Sequence, residues 1–240
     1  MRVAVVGASG RLGSLAVRLI EQAADLDLHA AIGSSDSLES AAGAQVIFDA
    51  TAFGVSQRVV EFARAQQIPV VVATSGWSAD RVAELDTAGS PVLIVPNFSL
   101  GSVLGSALAA IAAPYFDTVE IVETHHAGKL DSPSGTAIRT AELIADARRS
   151  TGADGVVPGA GQDARGELVA GIPVHSLREV GVLAEQRVVF GRSGESLRIE
   201  HFTTSNDSYA DGILLALRKV SELDGTLVGL EALLDLPGRS

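Results

Sequence analysis

The chain opens on a strand-length apolar run, Arg2-Val-Ala-Val-Val6, that stops at glycine and continues as Gly7-Ala-Ser-Gly10-Arg-Leu-Gly13. Helical spacing follows at once, with Leu12, Leu15, Leu19 and Ile20 forming a stripe over residues 11–23. No other feature restricts the fold as much. A short run that is apolar throughout belongs in a sheet covered on both faces, and a helix leading straight out of it makes half of a βαβ unit. The pattern recurs, with apolar runs at 28–32, 46–50, 69–73 and 92–95 and helix-like segments at 55–66 and 78–87. Such alternation predicts an α/β fold built on a parallel sheet.

The pattern changes after Asp117. Residues 118–124 read as a strand, 136 to about 149 as a helix, and about 150–170 as a loop rich in Gly, Ala and Asp. Three alternating segments at 172–183, 186–190 and 197–203 suit a half-exposed sheet, and 208–223 closes with helical spacing. The sequence thus predicts an N-terminal Rossmann-type parallel-sheet domain and a second, mixed α+β sheet domain. The long apolar stretch 100–116 falls short of the roughly 20 strongly apolar residues that a membrane span needs, so it reads as a buried helix.

Composition narrows the function classes. With 29 acidic against 18 basic residues, the formal charge of −11 argues against nucleic acid or an anionic membrane as partner. The chain has no cysteine, which excludes disulfides, zinc-thiolate centres and cysteine nucleophiles. No metal site is expected. The N-terminus enters a strand at once, leaving no room for a signal peptide, and a cytoplasmic location is the default expectation.

The glycine loop lies between strand and helix, where a dinucleotide fingerprint belongs, although its spacing is G-x-x-G-x-x-G. Gly7 permits a tight turn, Gly10 the approach of a pyrophosphate and Gly13 close helix–strand packing. The helix N-terminus then offers N–H groups and a positive dipole end to the phosphate. Ordinary βα-turn glycines are the plain alternative. A Rossmann strand usually carries an acidic residue at its second strand end, which bonds the ribose 2′-hydroxyl. Here that strand ends in Gly33-Ser34-Ser35, and Asp36 comes three residues late. With no carboxylate in the slot, and with Ser34, Ser35 and Arg11 able to meet a 2′-phosphate, NADPH is expected to serve at least as well as NADH.

A second cluster occupies the middle of the chain, Glu123-Thr-His-His-Ala-Gly-Lys-Leu-Asp-Ser-Pro-Ser-Gly-Thr136. Histidine titrates near neutral pH, and a lysine held against a carbanion or enamine can protonate it. His125 and Lys129 share a face only if the segment is helical, and Gly128 and Pro133 favour a loop. Ser134 sits where an N-cap belongs, so the Gly135 and Thr136 N–H groups can meet an anion. Surface histidines and plain helix capping are the alternatives.

These residues resemble the E-x-H-H-x-x-K-x-D-x-P-S-G-T-A motif of the 4-hydroxy-tetrahydrodipicolinate reductase (dihydrodipicolinate reductase) family of bacterial lysine biosynthesis. The resemblance extends to "VAVVGASGRLG", "FDAT" (48–51), "ATSGW" (73–77), "VPNFSLG" (95–101), "GIPVHSLREVG" (171–181) and "SGESLRIEH" (193–201). It implies a Rossmann domain over 1–99 and 207–240, with 100–206 binding a small dicarboxylate substrate and forming a homotetramer. It implies NADPH or NADH as the hydride source, His125 as acid/base and Lys129 as proton donor. Substrate carboxylates fall to His126, Ser134, Gly135 and Thr136. Cofactor contacts fall to Gly7, Ala8, Ser9, Gly10, Arg11 and Leu12, to Ala73, Thr74 and Ser75, and to Val95, Pro96, Asn97 and Phe98. The chain departs from the family at Gly33, at Ala73, at Glu185 and Gln186 where the family has a histidine, and at Asn206. An aspartate dehydrogenase-like oxidoreductase and a non-catalytic nucleotide sensor are the competing classes.

Overall fold

The computed structural model describes residues 1–85, 89–153, 155, 157–159 and 162–234. The expected helix 78–87, loop 150–170 and closing segment 207–240 each run partly over residues outside these. In chain order the elements are β1 (Arg2–Val6), α1 (Arg11–Gln22), β2 (Asp27–Ile32), β3 (Val46–Asp49), α2 (Phe53–Ala65), β4 (Val70–Val72), α3 (Ala79–Ala83) and β5 (Val92–Ile94). They continue as α4 (Leu100–Ala112), β6 (Thr118–His126), α5 (Gly135–Thr151), β7 (Glu167–Val169), β8 (Ile172–Glu179), β9 (Ala184–Arg192), β10 (Glu195–Thr203), α6 (Ala210–Lys219) and β11 (Thr226–Val228).

The chain divides into two compact units: Met1–Phe98 with the segment from Tyr209 onward, and Ser99–Ser208. The first holds a parallel sheet in the order β11-β5-β4-β3-β1-β2. Its central strands are buried along their whole length, as strands covered on both faces must be. Ala4, Val6, Ile47, Val70 and Ile94 pack there against Val59, Val60 and Ala63. The strand order reverses at β1, with β2 on one side and β3 on the other. Ligands of such sheets bind beyond the strand C-termini at that switch point. The sixth strand, β11, pairs with β5 and was not foreseen; its Thr-Leu-Val run is only partly buried and lacks the wholly apolar signal of the equally short β4 and β5.

The second unit is a mixed sheet in the order β10-β9-β6-β8-β7, in which β6 and β8 run parallel and the other pairs antiparallel. Val119, Ile121, Val174, Val188 and Phe190 face Ala109, Ala137, Ala141 and Ile144 on α4 and α5. β7 lies inside the stretch expected to be loop.

The expectation of a buried helix over 100–116 needs correction. The helix ends at Ala112 and is buried on one side only, where small residues such as Ser102, Ser106 and Ala109 admit α5. Ser106 and Thr140 hydrogen-bond across that contact at 2.8 Å. The larger Leu104, Leu108 and Ile111 lie exposed along the opposite stripe, continued by Tyr115 in the turn that follows the helix. Summed hydropathy cannot show this, because it does not record that the small Ser and Ala side chains face α5 while the large apolar ones face outward.

Candidate active site

Backbone geometry builds the cofactor loop. Gly7 has φ +81°, and a Cβ there would strike the Ala50 carbonyl; one on Gly13 would strike the Gly7 carbonyl. The tight-turn and packing roles of these two glycines follow directly. Gly7 and Ala8 donate to the Ile32 carbonyl at 2.9 and 3.2 Å, tying the loop to the end of β2. Gly10 is the N-cap of α1 in extended conformation, and no side chain caps the helix. The helix start therefore keeps its N–H groups for a phosphate, and the loop fits the dinucleotide the sequence implies.

A buried carboxylate that sequence reasoning passed over organises the turns beside it. Asp49, at the end of β3, accepts hydrogen bonds from Thr51 Oγ1 (2.6 Å), Thr74 Oγ1 (3.0 Å) and Ser56. Burial raises its pKa, and the hydroxyl donors counter that only in part. Thr74 is thus buried with its hydroxyl directed to Asp49, while Ser75 is exposed. Val95 and Phe98 are buried too, the Phe98 ring 5.7 Å from that of Phe48. The Val95 and Phe98 side chains are therefore core, whereas Pro96 is exposed and Asn97 half-buried.

In the second unit, β6 runs through His126, so the histidine pair stands on the strand end and not in a loop. Alternate strand residues share a face, which puts Glu123 and His125 together and sends His126 to the other side of the pleat. His126 lies over the turn that follows, its Nδ1 3.3 Å from where a Cβ on Gly128 would sit. His125 Nδ1 is 2.5 Å from Glu123 Oε2, and Glu123 is fully buried. Burial alone would push the Glu123 pKa up. Hydrogen bonds from His125, Ser176 and Arg178 outweigh it and hold the carboxyl at about 2. Glu123 is therefore ionised at neutral pH, His125 Nδ1 donates to it, and Nε2 is left for other partners.

Arg178, on the parallel strand β8 directly opposite His125, closes the array. Its Nη1 donates to both Glu123 oxygens at 3.1 and 3.2 Å, and its remaining nitrogens donate to the Lys129 and Asp131 carbonyls at 3.2 and 2.6 Å. One planar guanidinium thus fixes both the carboxylate and the loop that carries Lys129. Lys129 Nζ pairs with Asp131 at 2.7 and 2.8 Å, and that contact lowers the Asp131 pKa. No hydrogen bond joins Lys129 to His125; Arg178 and Glu123 connect them. Neither Glu123 nor Arg178 was assigned a role from sequence. The available signal was an acidic residue two before a histidine on a strand, which shares its face.

Ser134 is the N-cap of α5, its Oγ accepting from Ala137 N at 3.2 Å and its own N–H donating to Glu123 Oε1 at 3.3 Å. The first turn holds no acidic residue, and Gly135 faces open space. An anion arriving there meets backbone N–H groups and a helix dipole beside the His125–Glu123–Arg178 array. Among the described residues, no cluster of three or more potential metal ligands occurs, and no helix is long and apolar enough to cross a membrane.

Comparison with known proteins gives a consistent pattern. Family models described as dihydrodipicolinate reductase N-terminus and C-terminus match residues 1–98 and 101–234. A 4-hydroxy-tetrahydrodipicolinate reductase of Clavibacter michiganensis is 49% identical, covering 98% of this chain and 87% of its own length. One from Streptomyces avermitilis is 47% identical with 98% of both chains covered. Among solved structures, the dipicolinate-bound dihydrodipicolinate reductase of Paenisporosarcina sp. TG-14 superposes with a TM-score of 0.80 at 28% identity, covering 98% of this chain and 99% of that one.

Proposed function

The chain belongs to the dihydrodipicolinate reductase family, and from that premise we propose that it reduces 4-hydroxy-tetrahydrodipicolinate to tetrahydrodipicolinate, with release of water, in the diaminopimelate route to lysine. The observation that carries the mechanism is the buried Glu123 binding His125 and Arg178 beside the α5 N-terminus.

Loss of the C4 hydroxyl with a C3 hydrogen as water leaves a C3=C4 bond conjugated to the ring imine, and a reduced nicotinamide dinucleotide, when bound, would supply the hydride that adds at C4. The residues of the chain do the rest. Glu123 fixes the His125 tautomer, so that Nε2 exchanges the proton, and its charge stabilises an imidazolium when one forms. Lys129, on the loop that Arg178 holds, delivers a proton to C3 of the enamine left by hydride addition. Asp131 holds the Lys129 Nζ at 2.7 Å. The two ring carboxylates take N–H groups of Gly135 and Thr136, Ser134, and His126 reaching over from its turn.

In this reading residues 1–99 with 207–240 hold the cofactor and 100–206 hold the substrate. The half-exposed Leu177 and Phe202, aligned through Thr124 and Glu185 across the outer sheet face, support assembly of the second unit into a homotetramer. The absence of cysteine suits the cytoplasm.

Calorimetry with dipicolinate, a stable dicarboxylate that the Paenisporosarcina protein binds, tests the substrate site. Loss of one charge-assisted hydrogen bond is worth about tenfold or more, so His126→Ala should bind at least that much more weakly than the parent. Equal binding removes His126 from the cradle. No binding by the folded parent chain contradicts the dicarboxylate site.

A further inference from the structure

The strand end that chooses between the two cofactors is not as its sequence suggests. Gly33 leaves the slot after β2 without a side chain, but the chain turns back at once. The Asp36 N–H donates to the Gly33 carbonyl at 3.3 Å, and Asp36 Oδ2 accepts the Gly33 N–H at 2.8 Å. This puts Oδ2 3.3 Å from the point where a Cβ on residue 33 would sit. The carboxylate of residue 36 is thus folded back against the Gly33 backbone at the end of β2, instead of lying three residues along the chain. The preceding carbonyl, Ile32 O, receives the Gly7 and Ala8 N–H groups, so this carboxylate stands directly beside the pyrophosphate loop. Asp36 Oδ1 has no donor among the described residues.

We propose that Asp36 is the cofactor-specificity residue of this chain, accepting the adenosine ribose 2′-hydroxyl on Oδ1 and disfavouring a 2′-phosphate, so that NADH is preferred over NADPH. The inference rests on the family reading above and deepens it at the cofactor site. It reverses the expectation drawn from Gly33, Ser34 and Ser35. Those residues left a slot open to phosphate only so long as Asp36 was counted as three positions away. A 2′-phosphate carries about two negative charges at neutral pH, and a carboxylate at hydrogen-bonding range repels it where it would attract a hydroxyl. Arg11 lies at the start of α1 and opposes this preference, but it is an exposed, screened charge on a flexible stem. The Asp36 carboxylate is held in place by its bond to Gly33.

The test is a direct binding titration of NADH and NADPH, followed by quenching of Trp77, the sole tryptophan, which lies in the "ATSGW" turn. The parent chain and two variants are compared. Asp36→Asn keeps an oxygen for the Gly33 N–H and so preserves the turn while removing the charge; Asp36→Ala removes both. The parent is expected to bind NADH about tenfold more tightly than NADPH, and both variants to shrink that ratio by about tenfold, with NADPH binding improved outright in Asp36→Asn. A parent that binds NADPH equally or more tightly, or a ratio unchanged in both variants, overturns the proposal while leaving the family reading intact. Failure of the folded parent to bind either dinucleotide overturns both.

Discussion

Replacing Glu123 with glutamine removes one charge and little volume from the centre of the proposed site, and its cost can be worked from the geometry. The carboxylate is fully buried and accepts from His125 Nδ1 at 2.5 Å, Arg178 Nη1 at 3.1 and 3.2 Å, and Ser134 N at 3.3 Å. A carboxyl held at about 2 instead of the usual 4.5 is bound more favourably as an anion than as a neutral acid. At about 1.4 kcal/mol per tenfold, that difference is about 3 kcal/mol, and glutamine resembles the neutral acid. Glu123→Gln should therefore lose about 3 kcal/mol in chemical denaturation at neutral pH. The sign with pH is fixed as well. The folded-state pKa is depressed, so the contribution is fully present above the unfolded value and disappears as pH falls through about 2. The gap between parent and variant should close over that range. In turnover, glutamine can still accept the hydrogen bond from Nδ1–H but provides no counter-charge to an imidazolium, so kcat should fall about a hundredfold. Dipicolinate affinity should change only a few-fold. A folded variant with kcat within about threefold of the parent would refute the claim that Glu123 acts through His125.

Further outcomes follow from the same structure. Lys129→Ala should lower kcat by about 10²-fold or more in steady-state assays while cofactor titrations stay unchanged; near-full kcat would remove it as the proton donor. Arg148 is buried at 5% exposure and donates to the Ala113 and Phe116 carbonyls at 3.2 and 2.8 Å, so Arg148→Ala should cost about 2–4 kcal/mol by denaturant titration. Burial depresses the pKa of His201, whose Nε2 lies 3.3 Å from Ser99 Oγ. The unfolded chain then binds the proton more readily, so stability should decline as pH falls below His201's ordinary value near 6.5, and His201→Gln should flatten that slope.

The parallel sheet was legible because its central strands are nearly wholly apolar runs covered on both faces, each followed by a helix or turn, with the mostly apolar edge strand β2 beside them. The strands β7 and β11 were not: both are three residues long, like β4 and β5, but Glu-Leu-Val and Thr-Leu-Val start on a polar residue and are only partly buried. The site was half legible. His125, Lys129 and Ser134 declare themselves by residue type and by their place before a helix. Glu123 and Arg178 lie 55 positions apart, and only the parallel pairing of β6 with β8 makes them neighbours. Asp36 illustrates the opposite case, being so close in sequence that counting along the chain conceals a turn folding it back onto Gly33. In each case chemistry was readable from residue type, while partnership depended on a backbone path that composition does not encode.

The most direct test of the account supplies the purified chain with freshly made product of dihydrodipicolinate synthase and follows oxidation of NADH and of NADPH separately. The account predicts enzyme-dependent oxidation that requires the substrate, is inhibited by dipicolinate and collapses in Lys129→Ala. Folded, cofactor-binding protein that oxidises neither nucleotide in the presence of that substrate would contradict it.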